Sequence, residues 1–247
     1  MPAKIKWVWA ICCWIIFFGF IFLSITTQID EAKNKREQTQ ASRKAKPSQN
    51  AEKLRKKTFQ AAGKIKDIKE FIALGQNEKA EQLAREVLQS DPNNSLAYTW
   101  WGISLVKTNH LNEAIEKFRR ASQLEHTHPK TFLYWGLTLG IQEKHEEAIE
   151  KFRTAVQLDP KNSSAFAYWG GSLAGLGKYK DAIAQLERAL EINPFNEIAY
   201  GVLVDSFYHT QQYANAWKTV LEARKKNVPI AGKSLERLRG AMPEPAS

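Results

Sequence analysis

The chain is predicted to be all-α, a solenoid of about five helix-turn-helix units preceded by one transmembrane helix. Three observations predict this. The phrase YTWWGISL at 98–105 returns as FLYWGLTL at 132–139, as FAYWGGSL at 166–173 and, weakened, as YGVLVDSF at 200–207, each copy 34 residues after the last. A second phrase keeps step with it: NEAIEKFRRASQLE from Asn112, EEAIEKFRTAVQLD from Glu146 and KDAIAQLERALEIN from Lys180. The third observation is an uncharged apolar run, WVWAICCWIIFFGFIFL, at residues 7–23.

Taken in order, residues 1–6 form a short tail carrying Lys4 and Lys6, and residues 7–27 form the anchor. A helix rises about 1.5 Å per residue, so about 20 residues cross a hydrocarbon layer of about 30 Å. A cleaved signal peptide has a shorter apolar core and a small-residue exit. Here the exit, Ser24-Ile25-Thr26-Thr27, is a poor cleavage site, and Trp9-Ala10-Ile11 before Cys12 lacks the small residue of a lipoprotein signal. Positive residues lie on both sides of the run, with more after it (Lys33, Lys35, Arg36, Arg43, Lys44, Lys46), which tilts the C-terminal array toward the cytoplasm. The opposite orientation stays open, since Asp30 and Glu31 dilute that flank.

Residues 28–57 read as a basic flexible linker, rich in Lys, Gln, Ala, Ser and Glu and too poor in large apolar residues to offset its ordering entropy. Residues 33–57 are also suited to rest on anionic lipid headgroups. The basic balance belongs to this end of the chain. Residues 1–60 hold 12 Lys/Arg against 4 Asp/Glu, whereas the remainder holds 24 against 22. The repeat region is therefore nearly neutral, and no nucleic-acid partner is expected. Both cysteines, Cys12 and Cys13, fall in the apolar run, so the repeats carry neither a disulfide framework nor a cysteine metal site.

The array spans residues 58–230, in units near 61–94, 95–128, 129–162, 163–196 and 197–230. Within the third unit Phe132, Trp135, Gly136 and Leu139 recur at i, i+3, i+4 and i+7, one face of a helix, and Ala148, Phe152 and Ala155 mark a second helix. Gly136 on an apolar stripe is costly unless another element approaches closely there, and it is expected to face Ala148. Gly102 with Ala114 and Gly170 with Ala182 repeat the arrangement. Turn signals follow each second helix at Asp91-Pro92, Asp159-Pro160 and Asn193-Pro194, with Glu125-His126 standing in their place once. The first helix is expected to extend back to Ala51 with Asn50 as its cap. In the closing segment, 231–247, residues 234–239 are expected to form a short capping helix and MPEPAS, 242–247, a loose tail.

The aromatic, large, Gly and large residues of the first phrase, then Ala, large and Ala of the second, then Pro, resemble the tetratricopeptide repeat, which is also 34 residues long. Phe132, Trp135, Gly136, Leu139, Ala148, Phe152, Ala155 and Pro160 carry the match in the third unit. Tyr98, Trp101, Gly102, Leu105, Ala114, Phe118 and Ala121 carry it in the second, and Phe166, Trp169, Gly170, Leu173, Ala182, Leu186, Ala189 and Pro194 in the fourth. The outer units depart from it, with Ile68 and Val204 at the glycine position, as the end units of an array do. The resemblance implies a right-handed superhelix with a concave groove lined by first helices.

Carried onto this chain, the resemblance places the partner-binding groove at Leu96, Thr99, Trp100, Ile103 and Lys107; at Lys130, Leu133, Tyr134, Leu137 and Ile141; at Ser164, Ala167, Tyr168 and Gly171; and at Ile198, Asp205 and Tyr208. Trp100, Tyr134 and Tyr168 make an aromatic ladder, which either fills space between first helices or offers flat apolar faces to a bound segment. The Lys/Asn/Arg cluster of repeat proteins that grip chaperone tails is missing but for Lys130, so an apolar or amphipathic protein segment is the expected ligand.

No catalytic residue, metal site or cofactor is expected. His126-Thr-His128 falls in a turn and has no ligand-spaced partner, and no phosphate loop or nucleophile elbow is present. The acidic pairs on the second helices sit beside lysines and read as solvated faces. The chain thus reads as a membrane-anchored adaptor. The alternatives are a self-assembling coat, which makes a homo-oligomer a second expected association, and an accessory subunit of an envelope-biogenesis or cofactor-attachment enzyme.

Overall fold

A computed structural model of the protein describes residues 27–36 and 49–245. The expected anchor lies outside the described residues except for Thr27, and no helix among the described residues is long and apolar enough to cross a membrane. The chain divides into two compact units, Met1–Lys56 and Lys57–Ser247. The described regular elements are all helices: residues 27–36, then α1 (Gln49–Ala73), α2 (Asn77–Ser90), α3 (Ser95–Lys107), α4 (Leu111–Leu124), α5 (Pro129–Ile141), α6 (His145–Leu158), α7 (Ser163–Gly175), α8 (Tyr179–Ile192), α9 (Glu197–His209), α10 (Tyr213–Lys225) and α11 (Gly232–Ala241).

Two expectations for the N-terminal part are corrected here. Residues 28–36 and 49–57 of the expected linker are helical, because Lys, Arg, Gln, Glu and Ala are good helix formers even where nothing is buried, and 27–36 are exposed throughout. Asn50 lies inside the first turn of α1 rather than capping it, a position whose N–H groups have no intrahelical partner in any case.

From α1 onward the helices alternate as first and second members of each unit, and two sets of polar groups punctuate them. Asn94, Asn162 and Asn196 each accept a hydrogen bond from the backbone N–H three residues on (Ala97, Ala165, Ala199), capping α3, α7 and α9. In the third unit His128 stands in that place without a side-chain cap, and Pro129 opens α5 instead. At the other end, every first helix closes on a residue with positive φ: Gly75, Asn109, Glu143, Gly177 and Gln211, between 59° and 73° and again 34 residues apart. The N–H of the following residue then bonds the carbonyl five residues before it, as in His110 to Leu105 (2.8 Å) and Lys178 to Leu173 (2.9 Å). This Schellman closure turns the chain sharply back into the second helix.

Packing follows the glycines, though not onto the expected partner. A Cβ on Gly102 would lie 2.6 Å from Phe118 Cε1, one on Gly136 2.7 Å from Phe152 Cε1, and one on Gly170 2.6 Å from Leu186 Cγ. The glycine therefore makes room for the large residue one turn beyond the alanine, because a long side chain reaches across the crossing where a methyl cannot. Only at Gly170 does the alanine itself come close, through the Ala182 carbonyl oxygen at 3.2 Å. Phe118, Phe152 and Leu186 are almost wholly buried, as are Ile68 and Val204, which fill the glycine position in the outer units.

Neighbouring units are tied by hydrogen bonds as well. Thr99 and Thr131 share a buried bond of 2.8 Å between first helices. The Ser163 hydroxyl donates to the Ala189 carbonyl (2.9 Å) and accepts from Asn196 (2.7 Å). His126, in place of a proline, sets its ring edge against Phe132 at 4.8 Å. The stack ends on α11, longer at both ends than expected. Leu238 is fully buried, the Trp217 indole N–H donates to the Met242 carbonyl (3.1 Å), and Glu244 pairs with Arg224 and Arg239. Residues 242 and 244 are thus held rather than loose.

Candidate functional site: a stripe along the first helices

Successive first helices pack side by side, which buries the face each turns to its neighbour and leaves a narrower stripe than the resemblance implies. The residues of the stripe that keep access to solvent fall at the second, sixth and thirteenth places of each unit, and at the ninth in every unit but the second, spacings of four, three and four that hold one side of a helix. In the third unit these are Lys130, Tyr134, Leu137 and Ile141, and in the fourth Ser164, Tyr168, Gly171 and Gly175.

Of the residues expected to line a groove, Lys107, Lys130, Ser164, Ile141 and Ile198 are exposed, the last two at 51% and 39%. Leu96, Trp100, Tyr134, Leu137, Tyr168, Gly171, Asp205 and Tyr208 are half-buried. Four are corrected: Thr99, Ile103, Leu133 and Ala167 are buried and cannot line an open surface. Thr99 is spent on Thr131, and the other three sit in the cores between units. Thr99, Leu133 and Ala167 hold the fifth place, which neighbouring helices cover, and Ile103 is the one ninth-place residue that is covered too.

Each ring of the aromatic ladder packs into a core and keeps part of its surface exposed. Trp100 joins the cores on both sides of it, Tyr134 shares the second of these and joins one further core, and Tyr168 stacks on Phe152 with centroids 6.0 Å apart. Burial, with the neighbouring Tyr134 hydroxyl, pushes the Tyr168 phenol above its ordinary value, so it stays a neutral donor.

Charge is unevenly placed along the stripe. Lys69 and Lys130 hold their ammonium groups 5.1 and 5.7 Å from the centre of the Trp100 ring, which suits a cation-π contact. His128, just before Lys130, titrates below its ordinary value. Burial is the main cause, Lys130 and Lys69 add to it and Glu125 opposes them. At the other end Asp205 is bound by Arg237 (2.7 Å), whose guanidinium also covers the Tyr208 ring at 5.6 Å, so α11 closes the stripe there. Sequence reasoning missed Lys69, Val202 and His209, which occupy the same places in the outer units. Their signal was the 34-residue register itself, carried past the units that spell it clearly.

An alternation of paired helices with glycine-made crossings defines an α-solenoid. The family model described as tetratricopeptide repeat matches residues 133–197 and again 169–229, and one described as anaphase-promoting complex, cyclosome, subunit 3 matches 73–155. The tetratricopeptide family is thereby supported for the repeat region. The solved structure of pilF from Pseudomonas aeruginosa is 20% identical, covers 76% of this chain and 86% of its own, and superposes with a TM-score of 0.69. MamA is 22% identical over 64% of this chain and 92% of its own (TM-score 0.59). YrrB, described as a TPR protein with an unusual peptide-binding site, is 19% identical over 73% and 86% (TM-score 0.54). At these identities the likeness is one of fold. No curated protein sequence matches the chain.

Proposed function

We propose that the protein is a membrane-anchored scaffold whose first-helix stripe holds an apolar or amphipathic segment of a protein partner during assembly of a larger complex. The observation that carries this reading is the stripe Lys130, Tyr134, Leu137, Ile141 with its neighbours Trp100 and Tyr168. Large apolar side chains stay partly open there, on a rigid helical face, beside polar tips. The likeness to solenoids such as YrrB supports a binding role, and the uncharged run at 7–23 supports an anchor of residues 7–27. Exposed Lys33 and Arg36 on the helix at 27–36 suit the added contact with anionic headgroups.

A photo-crosslinking residue placed at Ile141 in the full-length chain in cells should give a discrete adduct with a partner protein. One placed at Gln157, on a second helix, should not. Equal adducts from both positions, or none from Ile141, would remove the stripe from the account. Orientation has its own test. With Cys12 and Cys13 replaced by serine, a cysteine introduced by Ser247→Cys should stay unlabelled by an impermeant reagent in intact cells if the array faces the cytoplasm.

A further inference from the structure

A second surface, away from the stripe, comes from comparing one junction with the three before it. At the seventh place of the first helix the chain carries Trp101, Trp135 and Trp169, each lying against the second helices beside it and each under a cation. Trp101 lies under Lys117 (4.0 Å from the ring centre) and Arg85 (5.1 Å), Trp135 under Lys151 (4.1 Å), and Trp169 under Arg153 (5.6 Å). The 34-residue register brings the fifth unit to Leu203 in place of the tryptophan, Thr219 in place of the lysine, and Glu187 in place of the arginine. The lysine is already Gln185 in the fourth unit, and only at this last junction are the indole and both cations absent together.

A cleft of about 600 Å³ opens there, between α8 and α10. Half-buried Ile183 and Leu190 give it an apolar wall over the nearly covered Tyr200, Leu203 and Phe207, and Glu187, Glu191 and Glu222 stand at its rim with Lys218 and Lys226. The Lys226 ammonium is occupied by the Tyr200 hydroxyl (2.9 Å) and ring (5.6 Å), and Glu191 by Arg188 (2.6 Å). Glu222 also acts on Lys226, which leaves Glu187, exposed and in none of the ion pairs found among the described residues, as the carboxylate at the mouth of the cleft. The other junctions show what this scaffold accepts in that space: an indole with a cation on its face.

We infer that the α8–α10 cleft is a docking site for a partner segment presenting a tryptophan or comparable aromatic side chain next to an arginine or lysine. The ring would lie against Ile183 and Leu190, over the place that Trp101, Trp135 and Trp169 fill elsewhere, and the cation would meet Glu187. Apolar burial supplies the attraction, and the carboxylate selects the basic neighbour. This site does not depend on the stripe being functional.

The test uses the full-length chain in lipid nanodiscs and a dye-labelled peptide, Ala-Trp-Arg-Ala, followed by fluorescence anisotropy. Saturable binding with a dissociation constant on the order of 1 mM or tighter is expected. Leu203→Trp with Thr219→Lys restores the residues of the earlier junctions and should abolish binding while the far-ultraviolet circular dichroism stays that of the parent. Glu187→Arg, a surface change, should weaken binding about tenfold or more, and the Ala-Ala-Arg-Ala peptide should not bind. Absence of binding at that concentration overturns the inference. So does binding that survives Leu203→Trp with Thr219→Lys, or that is indifferent to Glu187→Arg.

Discussion

At the residue scale, backbone conformation and single side-chain volumes set what the fold tolerates. Glu143 and Gln211 hold positive φ where Gly75 and Gly177 serve in other units, and an L side chain costs about 1–2 kcal/mol there. Glu143→Gly is expected to leave the protein unchanged or to stabilise it by up to about 1 kcal/mol, since glycine's extra unfolded-state entropy takes back part of the gain. Gly177→Ala should destabilise by about 1 kcal/mol. Gly136→Ala is the more damaging change, because its Cβ must displace the buried Phe152 ring, an overpacking worth about 1–3 kcal/mol. Urea midpoints of the three variants check this order, and a neutral Gly136→Ala would show that the crossing relaxes freely.

At the element scale, the junction between the second and third units is the irregular one and the acid-sensitive one. His128 lacks the cap that Asn94, Asn162 and Asn196 supply, so His128→Asn should stabilise by about 1 kcal/mol. The Ser95 hydroxyl (2.5 Å) and then the Thr127 hydroxyl (3.0 Å) donate to the Glu125 carboxylate and hold it below its ordinary 4.5. Its contribution is full above that value and is lost as pH falls through the lower, folded value. His128 is shifted down from 6.5, chiefly by burial, so the unfolded chain takes up its proton first and stability begins to drop as pH falls below about 6.5. Both shifts therefore weaken the fold on acidification. Urea midpoints measured from pH 8 to pH 4 should fall, and His128→Asn should remove the part of the fall that begins near 6.5. A midpoint indifferent to pH above 5 in the parent chain would contradict this account of His128.

At the scale of the whole molecule, a stack in which each unit touches only its neighbours stands or falls by its interfaces. The last interface depends on α11, whose Leu238 is buried against the fifth unit and whose following residues hold Trp217 and Arg224. Leu238→Ala should cost about 2–5 kcal/mol in local stability. By hydrogen exchange the loss should appear in α9 to α11 and fade through α7 and α5, because terminal units can open without the rest. Uniform loss of protection along the array would show instead that the units unfold as one body.

The helical pairing and its register were legible in the residues alone, since a 34-residue beat of Gly102, Gly136 and Gly170 with Ala114, Ala148 and Ala182 has few other physical meanings. The places where that reading went astray were those decided by reach and by neighbours. Phe118 and Phe152, not the alanines, occupy the space the glycines leave, because side-chain length counts only once two helices are set at a distance. Thr99, Ile103, Leu133 and Ala167 lie on helix faces that a linear pattern cannot separate from the open stripe, since which face is covered depends on where the next helix rests. Residues at 28–36 and 49–57 look unstructured by their lack of apolar side chains, yet local propensity alone makes them helical. The sequence by itself determined the repeat, its turns and its uncharged N-terminal run, all of which rest on short-range spacing. Only the tertiary structure decided which side chains remain open to a partner, and that Leu203, Thr219 and Glu187 meet at one cleft, because accessibility is a property of packed neighbours and not of any one helix.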